Sequence, residues 1–295
     1  MTIFTQKSMN YYIVFFIISV TLFVSGCSTN KNQSLQNNKV LLTYWDNKLG
    51  NLIEQKNSEL MNKAFSDYLC LFDNASEDTI KMSIEKFMKE AEKDSIFYIQ
   101  TVMMAERSLF DRNAPQMNEE HYIYFLQSIQ QSNCLSKAYK FRYEKQLESC
   151  LKNRPGTKAA SFSFITSEGK ECNLNDYSAK HLLIIFYSSR CKDCHIIMDQ
   201  LKASTDIHQW ISSKELNIMA ICTDGMKDTW DKEKDYFPST WTNGFDEKGE
   251  IIMKGTYMLR MMPSIYLLDA NKKVLLKDTN PEDIIKYMNE HKTQP

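Results

Sequence analysis

Cys191-Lys192-Asp193-Cys194 follows directly on the apolar run Leu182-Leu183-Ile184-Ile185-Phe186-Tyr187. Two cysteines three apart, where a buried strand turns into a helix, place the first sulfur at the helix N-terminus. There the unpaired N–H groups and the positive end of the helix dipole favour thiolate over thiol. Arg190 and Lys192 flank Cys191 and add to that preference, while Asp193 opposes it weakly from solvent. The second sulfur, one turn further in, can displace whatever becomes attached to the first, so the pair fits thiol–disulfide exchange. Cys191 is the candidate attacking sulfur and Cys194 the candidate resolving one.

The elements that must hold these residues follow from the pattern on either side. Leu216 to Ile221 is a second apolar strand, and Met262-Pro263-Ser264-Ile265-Tyr266-Leu267-Leu268-Asp269 is an X-Pro step opening a third. Ser161 to Ile165 alternates at period two, turns at Glu168-Gly169 and returns over Cys172 to Leu174 as a hairpin. Asn280-Pro281-Glu282-Asp283 reads as a cap followed by proline at the first helical position of a closing helix. Together these predict an α/β domain over 157–295, a mixed sheet between helices.

Ahead of it, residues 40–154 show helical spacing throughout. Ser76 caps a helix with Ile80, Ile84, Phe87, Met88 and Ala91 on one face. Asn118 opens another with Tyr122, Ile123, Leu126 and Ile129, and a later one carries Leu147, Cys150 and Leu151. About six helices in a bundle are expected. Trp45, Phe65, Tyr68, Met103 and Met104 are assigned to its core rather than to a ligand groove. Arg154-Pro155-Gly156 is the natural boundary between the halves.

From Ala159 to His291 the order of strand, CxxC helix, strand, helix, proline-led hairpin and final helix resembles the thioredoxin superfamily. Its nearest branch in pattern is the exported, membrane-anchored thiol–disulfide oxidoreductases. The resemblance implies a cis-proline at Pro263 packed against the sulfurs, and a substrate strand received by the backbone of Met262. It also exposes two departures. Thioredoxin carries a buried Asp where this chain has Ile185, and the exported reductases carry a Glu where it has Ile197. Deprotonation of Cys194 then falls to water, His195 or Asp199. The stretches Leu109 to Pro115, Asn118-Glu119-Glu120 and Lys152 to Thr157 resemble a helical domain found ahead of thioredoxin-like domains in bacterial lipoproteins. That resemblance supplies no activity for this half.

Residues 1–26 read as an export signal: Lys7 starts it, and the apolar Tyr11 to Val24 is shorter than the ~20 residues a spanning helix needs. Val24-Ser25-Gly26-Cys27 resembles a lipobox, which implies lipidation at Cys27, a tether over 27–39 and a periplasm-facing membrane anchor. Charge is nearly balanced, 36 basic against 37 acidic residues, so no basic field attracts nucleic acid. No nicotinamide or flavin fingerprint is present, so no cofactor beyond the dithiol is expected. A reductase would draw its electrons from a membrane donor and pass them to exported proteins with disulfides.

Two rival readings share these residues. Cys191 to His195 also satisfies C-x-x-C-H, the c-type haem attachment motif, although it follows a buried strand in an α/β pattern. A thioredoxin-like domain can also serve as a non-catalytic binding platform. Of the eight cysteines, Cys70, Cys134, Cys150, Cys172 and Cys222 remain after Cys27 and the CxxC pair. That odd number excludes complete pairing within one chain. Cys134 with Cys150 is the least implausible bridge, and Cys222 reads as a small buried hydrophobe.

Overall fold

The structure, a computed structural model, describes residues 33–111 and 113–291. Cys27, its lipobox and the export signal lie outside the described residues. The chain forms two compact units that divide between Glu144 and Lys145.

Described residues of the first unit are helical: α1 (33–43), α2 (Leu49–Gln55), α3 (Ser58–Cys70), α4 (Glu77–Ala91), α5 (Ser95–Ala105), α6 (Glu119–Gln131) and α7 (Lys137–Cys150), the last reaching past the dividing point. Local chemistry sets where they begin. The side chains of Asn57, Ser76, Asp94 and Asn118 accept hydrogen bonds from backbone N–H groups in the first turns of α3, α4, α5 and α6. The tether expected over 27–39 is already helical from residue 33. Asn37 and Asn38 are engaged there: Asn37 Nδ2 donates to the Asn74 carbonyl and Asn38 Oδ1 accepts from the Ser76 N–H. These polar residues satisfy the turn that precedes α4, which composition alone does not reveal. Trp45 stacks on Phe87 at 4.3 Å beside buried Phe65 and Tyr68, as expected of a core. Met104 is buried with them, but Met103, one step round α5, is half exposed.

The second unit is built on a seven-stranded sheet of order β2-β1-β5-β4-β3-β6-β7. The strands are β1 (Ser163–Thr166), β2 (Glu171–Asn173), β3 (His181–Tyr187), β4 (Leu216–Cys222), β5 (Thr242–Phe245), β6 (Ser264–Asp269) and β7 (Val274–Lys277). β3 runs parallel to β4 and antiparallel to β6. It is buried on both faces, which is why it reads as a continuous apolar run instead of alternating. Leu183, Ile185 and Tyr187 meet one core layer, with α8 (Lys192–Ala203), α9 (Thr205–Ser212), α10 (Lys227–Lys232) and α12 (Pro281–Glu290). Leu182, Ile184 and Phe186 meet the other, with Phe162, Leu174, Ile251 of the short α11 (Glu250–Met253) and Tyr257. The mixed sheet flanked by helices agrees with the sequence expectation. Asn280 accepts from the Asp283 N–H at the start of α12, with Pro281 in its first turn.

The dividing point of the two units lies inside α7, a little ahead of the Arg154 boundary, and the stretch between them is tied to the second unit. Lys277 Nζ, on β7, donates to the carbonyls of Lys152 at 2.9 Å and Cys150 at 3.4 Å, and Asn153 Nδ2 donates to the Thr256 carbonyl. The end of the helix thereby belongs to the sheet domain. Among the described residues no helix is long and apolar enough to cross a membrane.

Candidate active site

β3 ends at Tyr187, and Ser188-Ser189-Arg190 turns the chain into α8. Cys191 is the N-cap of that helix, with extended backbone angles (φ −84°, ψ 107°). Its sulfur takes the place of the usual capping oxygen: the Cys194 N–H points at Cys191 Sγ from 3.1 Å. Cys191 and Cys194 are joined as a disulfide with their Cα atoms 5.2 Å apart. Cys191 is partly exposed, whereas Cys194, Met198 and Leu201 lie on the buried face of α8. The pair is thus asymmetric. One sulfur meets solvent at the positive end of a helix, and the other sits behind it in the core.

The Met262–Pro263 peptide is cis, and the Met262 carbonyl oxygen lies 3.5 Å from Cys191 Sγ. A disulfide sulfur carries no proton, so this is a contact in the oxidised form; after reduction the Cys191 thiol can donate across the same gap. Pro263 is buried and Met262 partly exposed at the mouth of β6. Arg260 and Ser264 brace that turn by donating to the two carboxylate oxygens of Asp278, at 3.0 and 2.6 Å. Cys191, Cys194, Met262 and Pro263 are therefore brought to one place.

Sequence reasoning missed the group that fixes the Cys191 loop. Asp224, just beyond β4, accepts from Ser188 Oγ, Ser189 N and Ser189 Oγ on one oxygen, and from Met226 N on the other. The Cys222 thiol donates to the same carboxylate at 3.3 Å. Burial pushes the Asp224 carboxyl up, but these donors outweigh it and hold the group below the usual carboxylate range. Cys222 is more than a small hydrophobe: it is wholly buried, and burial first, then the charge on Asp224, pushes its thiol up to about 12. A signal for Asp224 was present in Thr223-Asp224-Gly225, an Asx-type turn after an apolar strand, but only the fold shows which loop it grips.

Ile185 and Ile197 are apolar in place as well as in sequence, both packed in the core layer that contains Cys194. Asp199 lies on the exposed side of α8. A hydrogen bond from Lys202, then one from Tyr236, holds its carboxyl below the usual range, which makes it a poor proton acceptor. His195 stacks on the Tyr236 ring at 4.8 Å and turns its Nε2 toward Glu233 Oε1, 3.7 Å away. The bridge considered between Cys134 and Cys150 does not form. The Cys134 sulfur instead faces the Glu92 carbonyl at 3.7 Å, and Cys191–Cys194 is the disulfide among the described residues.

Comparison with known proteins agrees with this geometry. Residues 155–277 match the AhpC/TSA family, and residues 27–153 match a domain of unknown function, DUF5106. A thioredoxin-like protein from Bacteroides caccae ATCC 43185 has a crystal structure that superimposes with a TM-score of 0.84. It is 31% identical and covers 88% of this chain and 94% of its own. The C-terminal domain of an uncharacterized Bacteroides fragilis NCTC 9343 protein is 36% identical over 46% of this chain and 98% of its own, with a TM-score of 0.46. Thiol-disulfide oxidoreductase ResA of Geobacillus thermodenitrificans is 25% identical over 136 residues, 45% of this chain and 75% of that protein. Oxidoreductases of this kind use cysteine redox chemistry without an external cofactor. With the CxxC helix, the cis-proline and the full-length likeness in hand, the chain belongs to the thioredoxin-like proteins, an AhpC/TSA domain preceded by a DUF5106 domain.

Proposed function

We propose that this chain is a lipid-anchored, periplasm-facing thiol–disulfide oxidoreductase that reduces disulfides in exported proteins. The asymmetry of the dithiol supports the chemistry most directly. An accessible Cys191 sulfur caps α8 beside Met262, with Cys194 buried one turn behind it. In the reduced protein the Cys191 thiolate attacks one sulfur of a substrate disulfide, forming a mixed disulfide and releasing one substrate thiolate. Cys194 then attacks Cys191, closes the disulfide seen here and frees the second substrate sulfur. Two electrons pass to the substrate, and a membrane dithiol donor restores the reduced state. The anchor reading rests on Val24-Ser25-Gly26-Cys27 behind an apolar segment, and the order of signal, tether, helical domain (40–154) and sheet domain (157–295) goes with it.

The test is a Cys194→Ser chain in its native host. Exported proteins should accumulate as mixed disulfides on Cys191 in the membrane fraction, and a Cys27→Ser chain should leave that fraction. An empty trap combined with an unreactive wild-type dithiol would leave a binding platform as the better reading.

A further inference from the structure

Cys194 must lose a proton before it can resolve the mixed disulfide, and both positions that resemblance assigns to this task are isoleucine. A carboxylate does reach the region from another element. Glu233 follows the last turn of α10, and its N–H donates to the Trp230 carbonyl. This places its charge at the negative end of a helix, where a carboxylate is disfavoured. Its Oε1 faces His195, the residue next to Cys194 on α8. Its Oε2 is buried and has no hydrogen-bond donor, and His195 Nε2 is likewise buried without a hydrogen bond. His195 Nε2 stands 3.7 Å from Glu233 Oε1, too far for a full hydrogen bond, and a buried imidazole nitrogen beside a carboxylate with an unsatisfied second oxygen is costly to keep unless a proton moves within the pair.

We propose that Glu233, held against His195, is the proton store for the resolving step and stands in for the carboxylate missing at Ile185 and Ile197. This deepens the oxidoreductase reading and rests on it. The Cys194 thiol gives its proton to the His195–Glu233 pair, and the Cys194 thiolate attacks Cys191 Sγ. The Cys191–Cys194 bond forms as the bond from Cys191 to the substrate sulfur breaks. The departing thiolate takes a proton from solvent, and the pair returns its own to water. Glu233 acts through His195 and is a positioning residue, not one that touches the reacting sulfur.

The charged and titratable groups around it agree with the role. Burial pushes the Glu233 carboxyl up; His195 on α8 opposes this, and Asp224 after β4 reinforces it. Tyr187 at the end of β3 and Tyr236 on the turn after Glu233 both feel its charge and stay protonated, so neither competes for the proton. Asp224 is saturated with donors and stays ionised. A carboxyl raised toward neutrality is the one of these groups suited to accept and return a proton.

The experiment is stopped-flow reaction of the reduced full-length chain with 5,5′-dithiobis(2-nitrobenzoate) between pH 5 and 9, after subtraction of a C191A/C194A background. A first release reports attack by Cys191 and a second reports resolution by Cys194. Glu233→Gln should slow only the second phase, about tenfold at pH 6. The gap should close toward pH 9, where hydroxide takes the proton directly. Glu233→Asp, which keeps the carboxylate, should recover most of the loss. The inference is overturned if the E233Q second phase follows the wild-type profile, or falls by one constant factor at every pH as a structural defect would. Absence of the first phase in the wild type would instead sink the oxidoreductase reading itself.

Discussion

Cys191→Ser is expected to reduce thiol–disulfide exchange at least ~10³-fold, to the background of the uncatalysed reaction. The reason lies in access as much as in chemistry. A serine hydroxyl is not ionised at neutral pH, and Cys194, the other sulfur of the pair, is fully buried behind position 191. It cannot take over the attack on a protein disulfide. Cys194→Ser, by contrast, should retain the first half-reaction and stall as an adduct. Dithiothreitol-driven reduction of insulin, followed by turbidity, separates these expectations. Residual turnover of C191S above about one per cent would mean that another cysteine does the work.

The second large effect is expected at Asp224. Its two oxygens collect donors from Ser188, Ser189 and Met226, and they join the end of β4 to the loop that carries Cys191. Hydrogen bonds to a charged acceptor contribute about 1.5 to 3 kcal/mol each before the shared geometry is discounted. Asp224→Ala should therefore destabilise the domain by about 3 kcal/mol, lowering its thermal midpoint by about 10 °C. The pH dependence identifies the cause. Because the folded carboxyl is held below its unfolded value, its stabilisation is fully present above the unfolded value of about 3.9. It is lost as pH falls through the folded value. The urea midpoints of wild type and Asp224→Asn should accordingly differ at pH 7 and converge in strong acid. A gap of constant size would show that the carboxylate's charge is not what holds the loop.

What could be read from sequence was what is local. The CxxC pair, the Met262-Pro263 step, and the caps at Ser76, Asn118 and Asn280 each express a short-range rule, and each appears at its expected place. The apolar run of β3 announced burial on both faces. Asp224 and Glu233 escaped notice because a lone acid beyond a strand or helix acquires its meaning only from what the fold places opposite it. Nothing within several positions of Glu233 names His195 as its neighbour. Met103 was misassigned for a simpler reason: a run of two methionines offers the same composition to both faces, and only the helix orientation decides which one is inside. The first turns of α1 were hidden by polar composition, since Asn37 and Asn38 earn their place through bonds to Asn74 and Ser76, not through apolar burial.

The depth of Cys222 has a consequence for fidelity. A third sulfur in the same core layer as the dithiol could divert the reaction into a wrong internal bridge and strand the protein between cycles. With its thiol pushed up to about 12, only ~10⁻⁵ of Cys222 is ionised at pH 7. Burial thereby keeps the spare thiol protonated and out of the exchange between Cys191 and Cys194.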